Sequence, residues 1–419
     1  MLDLKFIREN TDLVRQGLAA KNSTFDLDEL LRLDASKRNL LQEVENLKSI
    51  RNKANDEVTK YKKEGKSKEA EDVILSIRST SQKIKEIDVE VGELSSKIDK
   101  LTYVIPNLPK SDVPISKDSA GNKVVRSWGK EKEYAFTPKD YLEITTKQGW
   151  LSMERGSKIT GTAFPVYLGF GSKLQRALIN FMLDTHTKKH SYKEVWPPSV
   201  VNRASMTGTG QLPKFEEDMY HLGADDYFLI PTAEVPVTNL LREETIEEKD
   251  LPIYFTAYTP CFRREAGSYG KDTKGLSRVH QFDKVELVKF VKPEDGEKEH
   301  ESLVANAEAI LQALELQYRV VLLSTGDMSF AAAKCYDLEV WAPVTKKWFE
   351  VSSCSLFNDF QSRRMNIRYR SQEKKKLEYV YTLNGSGLAL PRIVLCLIET
   401  FQNKDGNVDF PKALQPYLA

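Results

Sequence analysis

The sequence of 419 residues contains only four cysteines, and none of them forms a CxxC pair or stands beside clustered histidines. Disulfide frameworks and structural zinc sites need such groupings, so we expect reduced thiols and no zinc. A long apolar run is also missing, and the opening segment, MLDLKFIREN, is charged within five positions. We therefore expect neither a secretory signal nor a membrane span, but a cytoplasmic protein without a membrane partner.

Neither sign of charge dominates, because 62 basic residues stand against 61 acidic ones and the net charge is +1. This balance excludes a uniform field that attracts nucleic acid, so any such contact has to use a local patch. The usual phosphate-binding glycine motifs are missing too: there is no GxxxxGK[ST], and no GxGxxG follows a strand. An ATP site here would have to hold phosphate with arginines and a metal ion.

Proline is absent from residues 27–103, where apolar residues recur at heptad spacing. The first ladder is Leu30, Leu33, Lys37, Leu40, Val44, Leu47, Arg51, Ala54, Val58 and Tyr61. The second ladder is Ile77, Thr80, Ile84, Ile87, Val91, Leu94, Ile98 and Leu101. Between them lies the polar turn KKEGKSKE, in which Gly65 can end a helix. The pattern predicts an antiparallel helical hairpin (about 27–103), a coiled-coil arm of roughly 55 Å.

Two uses of this arm are open. Heptads usually indicate dimerisation through a coiled coil, whereas a long hairpin can also reach a large partner. The turn carries a cluster of lysines, namely Lys60, Lys62, Lys63, Lys66 and Lys68. Such a cluster is more often a solvated face than a binding patch, so it does not decide between the two uses.

The rest of the chain predicts a second domain. The first 25 residues indicate one short amphipathic helix, so that 1–105 forms an N-terminal domain, and 106–125 is proline-rich and indicates a linker. From 126 to 419, helical windows alternate with β-rich runs in no strict βαβ rhythm. This order favours an α+β fold with an antiparallel sheet flanked by helices. The runs are Tyr227–Ile230, Val285–Val291, Arg319–Leu323, Asp337–Trp341 and Trp348–Val351.

Four segments of this domain carry residues suited to a binding site. In residues 259–287, apolar runs flank a loop with many charged side chains. This composition suits a phosphate clamp or an exposed hairpin tip equally well. The polar residues of the loop are Arg263, Arg264, Glu265, Lys271, Asp272, Lys274, Arg278 and His280. Glu234 stands in the apolar segment LIPTAEVPVTN. FEVSSCSLFNDFQSRR joins Glu350 to serine hydroxyls, a ligand set that Mg²⁺ accepts. TLNGSGLALPR leads into Arg392. Taken singly, ordinary turn or strand-edge chemistry explains the last three.

In this order the segments resemble the seryl-tRNA synthetases of the common class II type over essentially the whole chain. LINFMLDTHTKKHSYKEVWPPSVV resembles motif 1 of the class, PCFRREAGSYGKDTKGLSRVHQFDKVEL motif 2 and NGSGLALPRIVLCLIE motif 3. PTAEVP, TGDMSFAAAKCYDLEVW and FEVSSCS resemble segments specific to the seryl branch. The resemblance implies that the hairpin is part of a tRNA-binding domain and that motif 1 builds a homodimer interface.

The resemblance also implies a reaction and its residues. Serine and ATP give seryl-adenylate and pyrophosphate, and the seryl group then passes to the 3′ end of serine-accepting tRNA; charging of selenocysteine tRNA stays open. Arg263, Glu265 and Arg392 are the implied catalytic residues. The implied serine pocket is Thr232, Ala233, Glu234, Arg263, Glu286 and Ser386. The implied ATP contacts are Arg263, Arg264, Glu265, Val279, Phe282, Glu350, Val351, Ser352, Ser353 and Arg392, with Mg²⁺ held by Glu350 and Ser353.

Two alternatives and three departures accompany this interpretation. A ligase that loads a carrier protein is expected to lack the arm, and an inactive homologue acting as an RNA-binding or structural dimer is expected to have lost residues such as Arg263 or Glu350. This chain keeps the arm and both residues. It departs from the common family pattern at Ala163, Ser277 and Leu356. The first replaces an arginine, so we expect a weakened local anchor there.

Overall fold

A computed structural model describes residues 1–265 and 275–419. The helices in these ranges are α1 (Leu4–Glu9), α2 (Thr11–Ala20), α3 (Leu27–Lys63), α4 (Ser67–Val104), α5 (Tyr141–Lys147), α6 (Met153–Ile159), α7 (Phe170–Lys189), α8 (Arg203–Thr209), α9 (Glu234–Thr238), α10 (Gly296–Ala313), α11 (Phe360–Met365), α12 (Leu390–Phe401) and α13 (Gln415–Leu418). The strands are β1 (Lys123–Trp128), β2 (Leu151–Ser152), β3 (Val166–Tyr167), β4 (Lys193–Glu194), β5 (Val200–Asn202), β6 (His221–Leu222), β7 (Tyr227–Leu229), β8 (Thr245–Glu247), β9 (Ile253–Phe262), β10 (Gln281–Val291), β11 (Tyr318–Leu322), β12 (Lys334–Ala342), β13 (Lys347–Leu356), β14 (Arg368–Ser371), β15 (Lys376–Tyr379) and β16 (Tyr381–Ala389).

The long helical hairpin is confirmed. Asp26 caps α3 by accepting a hydrogen bond from the Glu29 amide, and α3 then runs 37 residues to Lys63. Gly65 turns the chain with a φ of +74°, a left-handed conformation that favours glycine. α4 returns along α3, and Val44, Ile84 and Ile87 are buried along their seam. The heptad ladders therefore pack against each other within one chain.

The prediction of one helix in the first 25 residues is wrong, because two helices, α1 and α2, meet at Asn10. Hydrogen bonds still cross the junction, since the Asn10 amide donates to Phe6 O and the Val14 amide donates to Asn10 O. Ile7, Val14 and Leu18 are buried as their spacing predicts. The apolar face is thus continuous, although the helix is not.

The chain divides into two compact units. One comprises Met1–Asp3, Gln16–Ser23 and Pro106–Ala419, and the other comprises Leu4–Arg15 and Thr24–Ile105. Between Ile105 and β1, the regular structure of the chain consists of one short 3₁₀ turn, Ser119–Gly121. The functional boundaries at 105 and 125 stay predictions.

An eight-stranded sheet organises the larger unit, in the order β1-β11-β12-β13-β16-β10-β9-β4. Every neighbouring pair is antiparallel except β4 and β9, which are parallel. The five β-rich runs of the sequence overlap β7, β10, β11, β12 and β13. Leu178 of α7, Leu303 of α10 and Ile393 of α12 are fully buried in the core of this unit. The α+β fold with a sheet flanked by helices is therefore confirmed.

Candidate active site

The central strands β10, β13 and β16, together with the start of α12, line a pocket of about 380 Å³. This volume lies within the range of small-molecule sites. Most residues of the predicted site line it, namely Thr232, Glu234, Arg263, Glu265, Val279, Phe282, Glu350, Val351, Ser353, Ser386 and Arg392. Segments that are far apart in the sequence thus meet at one cavity.

The other predicted residues lie elsewhere. Ala233 and Glu286 are completely buried behind the wall. Ser352 is buried, and its hydroxyl donates to Ser386 O over 2.6 Å. Arg264 is exposed, and its backbone amide donates to Asp218 O. The loop residues Lys271, Asp272 and Lys274 lie outside the described residues.

One end of the pocket contains a buried network around Glu286. Its Oε2 lies 2.6 Å from the Lys284 ammonium and accepts a hydrogen bond from the Thr232 hydroxyl over 3.1 Å. Its Oε1 accepts a hydrogen bond from Asn384 Nδ2 over 2.7 Å. Both carboxylate oxygens are therefore engaged, and the adjacent lysine balances the charge.

Glu234, the first residue of α9, has a different environment. Gln361 Nε2 donates to its Oε1 over 2.7 Å, and the Thr382 hydroxyl orients that amide by donating to Gln361 Oε1 over 2.8 Å. Burial, reinforced by the negative charge of Glu286, raises the pKa of Glu234 to about 7. The pocket thus contains one carboxylate paired with lysine and a second that is poised to gain or lose a proton near neutrality.

The other end of the pocket presents two arginines. The Arg263 guanidinium lies over the Phe282 ring at 5.2 Å, and its Nε donates to Pro231 O over 3.3 Å. Arg392, in the first turn of α12, donates from Nε to Ser277 O and from Nη1 to Glu350 O, at 3.1 and 2.6 Å. These bonds to backbone carbonyls hold both side chains in place, and Arg392 Nη1 also lies 3.6 Å from Glu350 Oε2. Fixed guanidinium groups of this kind suit phosphate or carboxylate binding.

Glu265 lies beside these arginines and pairs with Arg278 Nη1 at 2.5 Å. Its backbone has a φ of 52°, which is uncommon for a residue other than glycine. Strained backbone of this type is frequent where a side chain must point into a site.

A bulge in β13 brings Glu350 and Ser353 to the same pocket. Ser352 pairs with Leu338 and Glu350 with Glu339, which leaves Val351 as an extra residue on its strand. In a regular strand, residues three apart face opposite sides, and the bulge corrects this. Opposite Ser353 lies Asp337, whose carboxyl pKa is raised by burial and by the charge of Glu350. Oxygen atoms from a carboxylate and a hydroxyl therefore line one wall.

Comparison with known proteins identifies the family. Residues 1–109 match the Seryl-tRNA synthetase N-terminal domain, and residues 214–401 match the tRNA synthetase class II core domain (G, H, P, S and T). A serine--tRNA ligase of Carboxydothermus hydrogenoformans is 52% identical over 100% of this chain and 98% of its own. The chain belongs to the seryl-tRNA synthetase family.

Solved structures of the family agree with this assignment. The seryl-tRNA synthetase of Pyrococcus horikoshii complexed with ATP aligns with a TM-score of 0.95 and 37% identity, over 100% of this chain and 98% of that one. The cytoplasmic serine-tRNA ligase of Naegleria fowleri in complex with AMP aligns with a TM-score of 0.89 and 28% identity, over 100% and 97%. The arm and the catalytic fold are therefore those of the family.

The resemblance to the family motifs does not predict three polar residues that contact the buried carboxylates of Glu234 and Glu286. Lys284 and Asn384 line the pocket, and Gln361 holds Glu234. Two of them have a signal in the sequence: Lys284 precedes Glu286 by two residues and Asn384 precedes Ser386 by two, so strand alternation puts each pair on one face. Gln361 lies on α11, and no local pattern indicates its contact with Glu234.

The structure also shows what surrounds the three departures from the family pattern. Ala163 has a φ of 60°, and its carbonyl accepts the His280 amide over 3.0 Å, so a backbone contact anchors this turn. Ser277 contributes its carbonyl to Arg392. Leu356 is fully buried in the apolar core rather than in the pocket wall.

Within residues 1–265 and 275–419, no group of three or more His, Cys, Asp or Glu side chains is placed to hold a metal ion. In the same ranges, no helix combines the length and the apolar character that crossing a bilayer requires. All four cysteines are free thiols and buried.

Proposed function

We propose that this chain activates L-serine with ATP and transfers the seryl group to the 3′ end of serine-accepting tRNA. The observation that carries this proposal is one pocket that Glu234, Arg263 and Arg392 line together, with Glu286 buried behind the wall beside Glu234. A zwitterionic amino acid and a nucleoside triphosphate present the complementary charges. The relatives that are named serine--tRNA ligase support the same reaction.

Serine binds at the carboxylate end. Its ammonium and hydroxyl groups meet Glu234, Glu286, Thr232 and Ser386, with Ala233 behind them, while Arg263 contacts its carboxylate. A pocket that binds a hydroxyl discriminates strongly against alanine, because buried polar atoms would lose their partner. Threonine is excluded by size. The network around Glu286 supports this arrangement, since it fixes the Thr232 hydroxyl and the carboxylate beside the pocket.

ATP binds at the arginine end. Arg263 contacts the α-phosphate and Arg392 contacts the γ-phosphate. Phe282 stacks on the adenine ring, and Glu265 binds the edge of the adenine. The other residues of the site are Arg264, Val279, Val351 and Ser352. Mg²⁺ fits Glu350 and Ser353, because hard oxygen donors beside phosphates are the set that it prefers. When bound, Mg²⁺ supplies charge neutralisation at the phosphates.

The chemistry needs positioning rather than a base. The serine carboxylate is already ionised and attacks the α-phosphorus in line; the Pα–O bond to the leaving group breaks, and pyrophosphate departs with its electron pair. Arg263 is placed to stabilise the charge that develops on the α-phosphate. No histidine is required, and none lines the pocket among the described residues.

The arm contacts tRNA, and two copies of the chain associate through motif 1. Lys60, Lys62 and Lys63 are exposed at the hairpin turn and suit an RNA backbone. Motif 1 covers α7, β4 and Trp196, whose side chain is 78% exposed, which supports an interface there. The free buried cysteines support a reducing, cytoplasmic setting without a membrane partner.

Amino-acid-dependent ATP–pyrophosphate exchange tests this function. Purified protein is assayed in parallel with serine, threonine, alanine and cysteine. We expect serine alone to give exchange, with rates for the other three lower by about 100-fold or more, because of the polar pocket. Absence of exchange with every amino acid, from folded protein, would leave the inactive-homologue interpretation standing.

Arg263→Ala supplies the matched test of the site. We expect exchange to fall by about 100-fold or more, because one charge-stabilising contact is lost. Arg264→Ala removes the neighbouring arginine, which belongs to the same proposed ATP site but does not line the pocket, and should have the smaller effect. Far-ultraviolet circular dichroism establishes that both variants fold. Normal exchange by Arg263→Ala would remove this residue from the site.

A further inference from the structure

The β11–β12 connection contains a short segment, residues 329–333, that forms one wall of the pocket. Ser329, Phe330 and Ala331 line the cavity, and Ala332 and Ala333 behind them are completely buried. The segment is not part of a helix or strand, so its carbonyls receive no hydrogen bonds from a ladder or a helix. The Ala332 amide donates to Ser329 O over 3.3 Å, and the other donors come from elsewhere in the fold.

One set of donors is the ammonium of Lys21. Its Nζ lies 3.2 Å from Ser329 O, 3.4 Å from Phe330 O and 2.6 Å from Ala332 O. A lysine ammonium has three hydrogens, so one side chain satisfies three carbonyls of the segment. Lys21 lies in the region that matches the N-terminal domain, yet it belongs to the same compact unit as the pocket.

Asn107 supplies further donors to the segment, while the Lys110 amide donates to Ala333 O over 2.9 Å. Its Nδ2 donates to Ala331 O and to Phe357 O, each over 2.8 Å, and its backbone amide donates to Phe330 O. The Leu108 amide donates to Asn107 Oδ1, which fixes the orientation of the side-chain amide. Asn107 is buried, with 4% of its surface exposed. It therefore contacts three residues that line the pocket, Phe330, Ala331 and Phe357.

The segment faces the end of the pocket that contains Glu234. A side-chain carbon at Gly210 would lie 3.5 Å from Ala331 Cβ, so these two residues are in close apposition. The carbonyl of the adjacent Thr209 accepts a hydrogen bond from Gln361 Nε2, the same atom that donates to Glu234. A shift of Ala331 is thus transmitted to the carboxylate end through one packed layer.

We propose that Lys21 and Asn107 are positioning residues for serine, because they hold segment 329–333 against Gly210 and so set the shape of the carboxylate end. This inference rests on the proposed function. It assigns a role in amino-acid binding to two residues that lie outside the class II core match at 214–401. Neither residue lines the pocket, so neither is a catalytic residue.

The test compares Lys21→Met and Asn107→Leu with wild-type protein in pyrophosphate exchange. Each variant keeps the approximate size of the side chain and removes its donors. We expect the KM for serine to rise by about tenfold in each, with the KM for ATP and kcat within about twofold of wild type. The double variant should raise the KM for serine by less than the product of the two single increases, since both residues act on one segment.

Lys117→Met is the control, because it removes the same charge from an exposed lysine of the same unit. It should leave both KM values unchanged. A general loss of stability lowers the active fraction, and hence kcat, without raising the KM for serine alone. If Lys21→Met cannot be purified folded, Lys21→Gln and Asn107→Leu decide the question.

Two results would overturn the inference: folded variants with a wild-type KM for serine, or equal increases in the KM values for serine and ATP. Failure of the proposed function is distinguishable, because wild-type protein would then show no serine-dependent exchange. An active wild-type enzyme with unaffected variants counts against the positioning role alone.

Discussion

Glu234 and Glu286 have identical side chains, but the surroundings of the two carboxylates differ. Glu286 lies 2.6 Å from a lysine ammonium and has both oxygens engaged. Glu234 has an amide partner and no adjacent lysine contact of that length, and burial raises its pKa to about 7. One carboxylate is therefore paired with a lysine behind the wall, while the charge of Glu234 depends on pH near neutrality.

This difference predicts a pH dependence of serine binding. As the pH falls from 8 to 6, Glu234 takes up a proton, the pocket loses a negative charge, and the KM for the cationic ammonium of serine should rise. Glu234→Gln cannot ionise, so its KM should be higher than that of wild type by about tenfold at pH 8 and nearly constant over this range. Exchange kinetics at each pH give both profiles. The KM for ATP serves as the internal control, and a wild-type profile in Glu234→Gln would assign the dependence to another group.

Among the secondary-structure elements, α3 and α4 bury their apolar faces against each other. Their seam of Val44, Ile84 and Ile87 is formed within the hairpin, and the residues of the pocket lie in the other compact unit. An element that buries its own apolar face can be shortened without opening the core of another unit. We therefore expect removal of the arm to separate tRNA binding from amino-acid activation.

Replacing residues 37–102 with a short Gly/Ser linker should leave serine-dependent exchange within about twofold of wild type. Charging of tRNA should fall by about 100-fold, the loss expected when about 2.7 kcal/mol of binding free energy is removed. The full-length protein is assayed alongside for both steps. An equal loss of exchange and charging would argue that the arm is not separable.

On the scale of the whole molecule, stability depends on histidines that are buried without charge. His300 of α10 donates a hydrogen bond from Nε2 to Cys354 O over 2.8 Å, and burial lowers its pKa to about 4. Within the described part of the chain, its Nδ1 has no partner. His186 of α7 is also buried, and its pKa is lowered to about 3 by burial and by His190. Protonation of either ring is therefore linked to unfolding.

The sign of this linkage predicts acid sensitivity. As the pH falls from 6.5 to about 4, the unfolded state binds a proton at His300 and the folded state does not. The free energy of unfolding therefore falls by about 1.4 kcal/mol for each unit of decrease in pH from this group. Below about pH 4 its contribution is constant. Urea unfolding at several pH values should show a shallower slope for His300→Gln than for wild type. Identical slopes would show that His300 does not carry this proton.

The sequence alone predicted the elements whose signal is local. Heptad spacing and Gly65 predicted the hairpin and its turn, because each seam residue recurs on one helix face. Short β-rich runs predicted five strands, the ordered motifs predicted the family, and most of the residues that the motifs assigned to the site line the pocket. The break at Asn10 was missed, since the apolar face continues across it.

The tertiary structure decided whatever depends on partners distant in the chain. The β13 bulge that brings Glu350 and Ser353 together is a property of pairing with β12, and Gln361 reaches Glu234 only after α11 packs on the sheet. The carbonyls of residues 329–332 accept hydrogen bonds from Lys21 and Asn107, more than 200 residues away. Periodicity is local to a segment, whereas the partner of a buried polar atom is chosen by the whole fold.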